Sequence, residues 1–305
     1  MKSLMKSLNT YLNESLLDDE DTFLDPERDR NIVENWIKEN YRFDGTLKIS
    51  DDFVVDCNGS VMIESRDITS LTNGLFRWGT VHGGFVVRHC KNLTTFEGAP
   101  EKVDKDFSCW NCVSIESLEG LPKEIGGGFT CFYCDKLKTL EGAPMYVHKD
   151  FYCSHCKNLT SLEGAPKEVG GDFSCSDCEN LKSLKGAPKK VGEGFSCSRC
   201  KNLTSLEGAP EKIDGDFSCS DCENLKSLKG APKKVGGDFV CSGCSRLTSL
   251  EGAPEDVGEN FECSGCSRLT SLEGVPKQIH GHLRCEDCKN LKLTDSDYRK
   301  YKIRL

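Results

Sequence analysis

The amino-acid sequence predicts a repeat solenoid, mainly β, in which about ten short rungs stack their strands in parallel between a small N-terminal α/β cap and a short C-terminal cap. Three observations carry this expectation. Phenylalanine recurs every 22 residues at Phe85, Phe107, Phe129, Phe151, Phe173, Phe195, Phe217, Phe239 and Phe261, with Leu283 in the tenth place. A fixed period in this range marks stacked supersecondary units. Within a unit, the run Asp172, Phe173, Ser174, Cys175, Ser176 alternates polar and apolar residues, which is the two-residue period of a strand. Charges also alternate down the stack: Glu163, Lys185, Glu207, Lys229 and Glu251 at one position, and Lys157, Glu179, Lys201 and Glu223 at another. Stacked rungs then pair opposite charges, each contact worth well under about 1 kcal/mol.

Along the chain, residues 1–44 read as a helical segment. Leu4, Leu8, Leu12 and Leu16 fall four apart on one face. The acidic residues 18–21 then form a linker, and Asp25 and Pro26 signal the start of a second helix with Ile32, Val33, Trp36 and Ile37 on its apolar stripe. Residues 45–84 change to short β-type runs at 47–49, 53–57 and 61–63, with Asn58 and Gly59 read as a hairpin turn. Residues 63–84 keep Leu71 and Val81 in phase with the later repeats and read as a degenerate first rung. Ten 22-residue repeats fill residues 85–292, and residues 293–305 form the C-terminal cap, with a short helix at 295–301. Residues 172–192 and 216–236 are identical, 44 apart, so the array has grown partly by copying two rungs together.

Each rung offers Phe, Cys, Cys, Leu, Leu and Val to a common core. A unit this short cannot close a core alone, whereas ten of them at about 4.8 Å build roughly 50 Å of solenoid. The net charge of −9 disfavours nucleic acid and anionic membrane as partners. No apolar run follows Lys2 and Lys6, and no stretch approaches a membrane span, so a cytoplasmic protein with reduced thiols is expected.

The pattern Phe-x-Cys-x-x-Cys-x-x-Leu-x-x-Leu-x-Gly-x-Pro resembles a leucine-rich repeat of the short bacterial kind over residues 85–291. Phe195 and Cys197 match the strand leucines of that family, Cys200 its ladder Asn or Cys, and Leu203 and Leu206 the start of its convex side. The wording Leu-Thr-Ser-Leu-Glu-Gly-Ala-Pro is similar to arrays encoded by gut bacteria and their large bacteriophages. The resemblance implies a bacterial, or phage-infected bacterial, cytoplasm. The departures are the Cys in the second strand position and the Gly-rich approach to the strand, which bear on curvature.

Nine rungs carry Cys-x-x-Cys, and a tenth has Val87 in the first place. Valine replaces a buried thiol used as a small apolar filler but cannot replace a ligand, which favours a core ladder and no cofactor. The competing reading is zinc. Cys153, Cys156, Cys175 and Cys178, and likewise Cys197, Cys200, Cys219 and Cys222, have zinc-ribbon spacing. That spacing is automatic in any 22-residue repeat containing the motif. A disulfide within one rung is out of reach, because the Cα atoms would lie roughly 8 to 10 Å apart.

No phosphate loop, nucleophile elbow or paired His ligand set is present, so a non-enzymatic protein is expected. The outward strand positions vary more. Arg88 and His89, Trp110 and Asn111, Phe132 and Tyr133, and Tyr152 and His155 are aromatic or charged in the early rungs, whereas serine dominates the middle ones. Aromatics and Arg on a rigid ladder suit a binding hot spot for a protein partner. The bland alternative seats Trp110, Phe132 and Tyr133 beneath the N-terminal helices. Two other functions remain open: a metal-binding protein, and a phage structural or virion-associated component. The latter is suggested by the opening Met-Lys-Ser-Leu, which resembles capsid-targeting leaders.

Overall fold

A computed structural model of the chain describes residues 26–301 and residue 303. The helix expected at 1–17, its acidic linker and Asp25 lie outside the described residues. The first described element, α1 (Pro26–Asn40), carries Glu27 and Asp29 in its first turn and Lys38 in its last, which complements the helix dipole. Val33, Trp36 and Ile37 are buried, and Ile32 is half-buried. The segment does not stay helical to residue 44. Strand β1 (Tyr41–Phe43) follows directly and pairs antiparallel with β4 (Val61–Ile63), Tyr41 opposite Ile63.

The hairpin of this cap is not where the Asn-Gly pair suggests. It joins β2 (Leu47–Ile49) to β3 (Val54–Cys57), closed by the Phe53 amide donating to the Ser50 carbonyl at 3.1 Å. Asn58 and Gly59 instead turn a corner between two sheets, because β3 pairs with β5 (Arg77–Val81) whereas β4 pairs with β6 (Phe85–Arg88). Glycine is needed there by close approach: a Cβ at Gly59 would lie 1.5 Å from the Asp44 carbonyl oxygen. Val61 registers on Phe85, 24 residues later, so the parallel stack begins one rung before the 22-residue rhythm does.

From there the molecule is a mainly β solenoid of about ten turns. The main sheet has 12 strands, β1 antiparallel at its edge and the rest parallel, each Phe registered on the next. A second set of strands, two residues long from Lys102–Val103 to Gln278–Ile279, holds the Val column on another face. A three-residue corner joins the two faces of each rung, with glycine in most of them but none at 104–106 or 148–150. At the far side of the rung, Gly186 adopts φ 90°, and a Cβ there would lie 2.5 Å from the Glu163 amide nitrogen of the rung before. The Gly of the Gly-Ala-Pro wording is therefore required twice over.

The core is the set of columns read from the sequence. Phe173, Cys175, Cys178, Leu181 and Leu184 are fully buried, and Val191 nearly so. The Phe rings run from Phe85 to Phe261 with centroids 4.9–5.9 Å apart. At the N-terminal end Trp78 meets Phe85 edge-on at 6.0 Å, and Phe76, Trp36 and Tyr41 complete an aromatic plug. The C-terminal end is more open. Cys288 is the one cysteine that is not fully buried, and helix α2 (Asp295–Tyr301), capped reciprocally by Thr294 and Asp297, contributes no buried residue.

Candidate interaction surface

Three outward positions per rung line the main sheet, and the early rungs treat them differently. The strands Phe85–Arg88, Phe107–Trp110 and Phe129–Phe132 run four residues, so Arg88, Trp110 and Phe132 end them in register. From Phe151–Tyr152 onward the strands are two residues long and bend away sooner. The next position in every rung has positive φ. His89, Asn111, Tyr133 and His155 occupy it with φ 55–59°, followed by Asp177, Arg199 and Asp221. Gly, Asn, Asp and to a degree His accept this conformation, whereas Tyr and Arg hold it at a cost of about 1–2 kcal/mol each. The repeat corner imposes it: the His155 amide donates to the Ser176 carbonyl at 2.9 Å, and the same bond recurs rung after rung.

The predicted residues fall on one face in two adjoining groups. Trp110 meets Phe132 edge-on at 5.0 Å, Phe132 lies parallel to Tyr152 at 6.3 Å, and Tyr133 stacks on His155 at 4.6 Å. Phe132 also meets His155 edge-on at 6.4 Å, which joins the rings into one cluster. Trp110 and Tyr133 are each 43% exposed and are the exposed large hydrophobic residues on this face, while Met145 and Tyr146 are exposed at the strand Tyr146–Val147 on another face. Nearer the cap, the Asn111 amide lies 3.0 Å from the His89 ring nitrogen, and Arg88 donates to Glu64 at 2.8 Å. That ion pair holds the Glu64 carboxyl below the usual glutamate range.

Three partners of these side chains lie outside the candidate set. Arg199 grips Asp177 with two bonds of 2.7 Å, and Asp177 faces His155 at 3.7 Å. The guanidinium, with lesser help from His155, keeps the Asp177 carboxyl below the ordinary aspartate range. Tyr152 donates to Asp172 at 3.4 Å, and burial followed by the nearby Asp150 and Asp172 charges pushes its phenol up. A signal for this edge existed in the sequence, since Asp177, Arg199 and Asp221 continue the column of His155 at the 22-residue period. Beyond them the surface becomes a hydroxyl ladder, Ser154 to Ser174, Ser176 to Ser196 and Ser198 to Ser218, at 2.8–3.0 Å.

Trp110, Phe132 and Tyr133 do not seat the described part of the cap. Helix α1 packs through Trp36 onto Tyr41 and Phe76, on the inner side of the first turns. No helix among the described residues is long and apolar enough to cross a membrane.

The eight cysteines with zinc-ribbon spacing are all buried, and the sulfurs of the second-place ones point to backbone carbonyls of the rung before. Cys178, Cys200 and Cys222 donate to the backbone oxygens of Cys153, Cys175 and Cys197 at 3.2, 3.2 and 3.3 Å. Among the described residues, the sulfurs that converge belong to another place, Cys109, Cys131 and Cys134. Asp150, Asp172 and Glu193 also converge, but Asp150 and Asp172 already accept the backbone amides of Asp172 and Gly194. Comparison with known protein families, with curated proteins and with solved structures gives no match.

Proposed function

We propose that the chain is a non-enzymatic interaction module that binds a protein partner through the early rungs of its main sheet. The observation that carries this reading is the cluster of Trp110, Phe132, Tyr133, Tyr152 and His155, contiguous and outward on a backbone locked by its neighbours on both sides. Large rings held at fixed positions lose little conformational freedom when a partner covers them, so their burial is available to binding. The polar rim of His89, Asn111, Asp177 and Arg199 supplies directional contacts around that apolar centre. The serine rungs beyond it offer small, mutually bonded hydroxyls and little contact area. In such a surface the central rings carry most of the affinity, each truncation costing about 2 kcal/mol or more.

The test replaces Trp110, Phe132 and Tyr133 singly by alanine and compares capture of a partner from the native host with that by the unaltered protein. Loss of capture for Trp110→Ala and Tyr133→Ala, with thermal unfolding unchanged, is expected, because both side chains are more exposed than buried neighbours such as Cys109. A large fall in stability with capture intact would instead assign the rings to the fold.

A further inference from the structure

The cysteine columns are regular except in the rungs that carry the aromatic cluster. In the regular rungs each second-place thiol donates to the backbone carbonyl of the first-place cysteine one rung earlier, Cys178 to Cys153 and Cys200 to Cys175, both at 3.2 Å. In the early rungs the contacts converge. The sulfurs of Cys109, Cys131 and Cys134 all lie within 4.8 Å of one another, Cys109 and Cys134 at 3.7 Å, and all three residues are fully buried. Cys112 stands apart, its thiol aimed at the Val87 and Trp110 carbonyls at 3.7 and 3.6 Å.

The convergence follows from the strand lengths. Phe107–Trp110 and Phe129–Phe132 run through their first-place cysteines in register, Cys109 opposite Cys131, while the next strand, Phe151–Tyr152, stops short of Cys153.

We propose that Cys109, Cys131 and Cys134 form a thiolate site for one zinc-class cation. Zinc–sulfur bonds of about 2.3 Å set the edge of a tetrahedral sulfur set at about 3.8 Å, close to the separation already present between Cys109 and Cys134. Soft thiolates select such ions over calcium or magnesium. Binding exchanges the thiol protons for the metal, and the protons pass to solvent. The site lies directly beneath Trp110, Phe132 and Tyr133, so a bound ion would fix the strands that display them. The site does not depend on what those rings bind.

The test uses the full chain, reduced and metal-free, titrated anaerobically with Co2+ both when folded and when refolded with the ion present. Thiolate-to-cobalt charge transfer is read for binding, and native mass spectrometry with Zn2+ gives stoichiometry. One ion per chain is expected for the unaltered protein. Cys109→Val and Cys131→Val should each lose it while keeping the native circular dichroism, because Val87 fills the same column position, fully buried, at the head of these rungs. Cys197→Val, in a regular rung, should retain it. Absence of the charge-transfer band under both loading conditions would overturn the site. So would binding that survives both Cys109→Val and Cys131→Val, or several ions per chain lost in step with any cysteine removed.

Discussion

At Cys222 the thiol proton points at the Cys197 carbonyl of the previous rung, 3.3 Å away, and the same donor recurs from Cys156 to Cys288. Even Cys112 aims at the Val87 carbonyl, although Val87 has no thiol of its own. The two cysteines of a rung therefore differ in kind. The second place needs a small apolar side chain with a donor, and the first needs only the small apolar side chain. This accounts for a native Val in the first place and none in the second. Cys222→Val should strand a buried carbonyl and cost about 1–3 kcal/mol, whereas Cys219→Val, a near volume match, should cost about 1 kcal/mol or less. Urea unfolding midpoints of the two variants would decide the matter, and equal midpoints would refute the distinction.

The ion pair at the rim gives a second prediction on this scale. The Asp177 carboxyl is held below its ordinary range by Arg199, so its folded pKa is depressed. Such a group adds stability above its unfolded pKa, and the contribution disappears as pH falls through the lower, folded value. The unaltered protein should thus melt higher than Asp177→Asn at about pH 7, and the gap should begin to narrow as pH falls below the ordinary aspartate value of about 3.9. A gap that persists in acid would mean that the aspartate acts through packing.

The Phe column shows which parts of the elements were legible. Inward Phe, Cys, Cys, Leu, Leu and Val could be named because side-chain alternation and a constant period both mark them. The Val-bearing strands could not be seen as a second sheet, since two residues such as Lys190–Val191 are too short to show a period and their partners lie 22 residues away. The Asn58 and Gly59 pair misled for a related reason. Glycine marks any tight approach of backbone, and here the approach is a corner against Asp44 instead of a hairpin. The surface residues were legible as outward, but not which of them touch. The contact of Asp177 with both His155 and Arg199 depends on a positive-φ corner shared by all three rungs.

Within that column, the end rung already tolerates Leu283 in place of Phe. Phe195 is stacked on both sides, at 5.1 and 5.3 Å. Phe195→Leu should cost modestly, about 1.5 kcal/mol or less with some repacking, while Phe195→Ala opens a cavity and should cost about 3–5 kcal/mol. Thermal unfolding of the pair measures both.

For the whole molecule, each rung touches its neighbours and little else, so stability accumulates rung by rung and rungs can be removed in phase. The unit that can be removed without penalty to charge is two rungs, not one. Lys185 pairs with Glu163 at 3.7 Å, Lys201 with Glu179 at 3.4 Å, and Lys229 with Glu207 at 3.4 Å. Excising residues 172–215 sets Glu163 against Lys229 and Lys157 against Glu223, which preserves the alternation. Excising 172–193 alone sets Glu163 against Glu207 and Lys157 against Lys201, like against like in both columns. These contacts are exposed and individually small, so core loss will dominate the absolute stabilities of both variants. The sign of the salt response isolates the charge contribution, because salt screens attraction and repulsion alike. Added salt should raise the melting temperature of the one-rung variant and slightly lower that of the two-rung variant. Both excisions keep the rings from Trp110 to His155 and remove the rim residue Asp177, with Arg199 also lost from the two-rung variant, so both proteins should still capture the partner, more weakly than the full chain. Capture lost on shortening the serine rungs would move the binding surface out of the aromatic cluster and along the array.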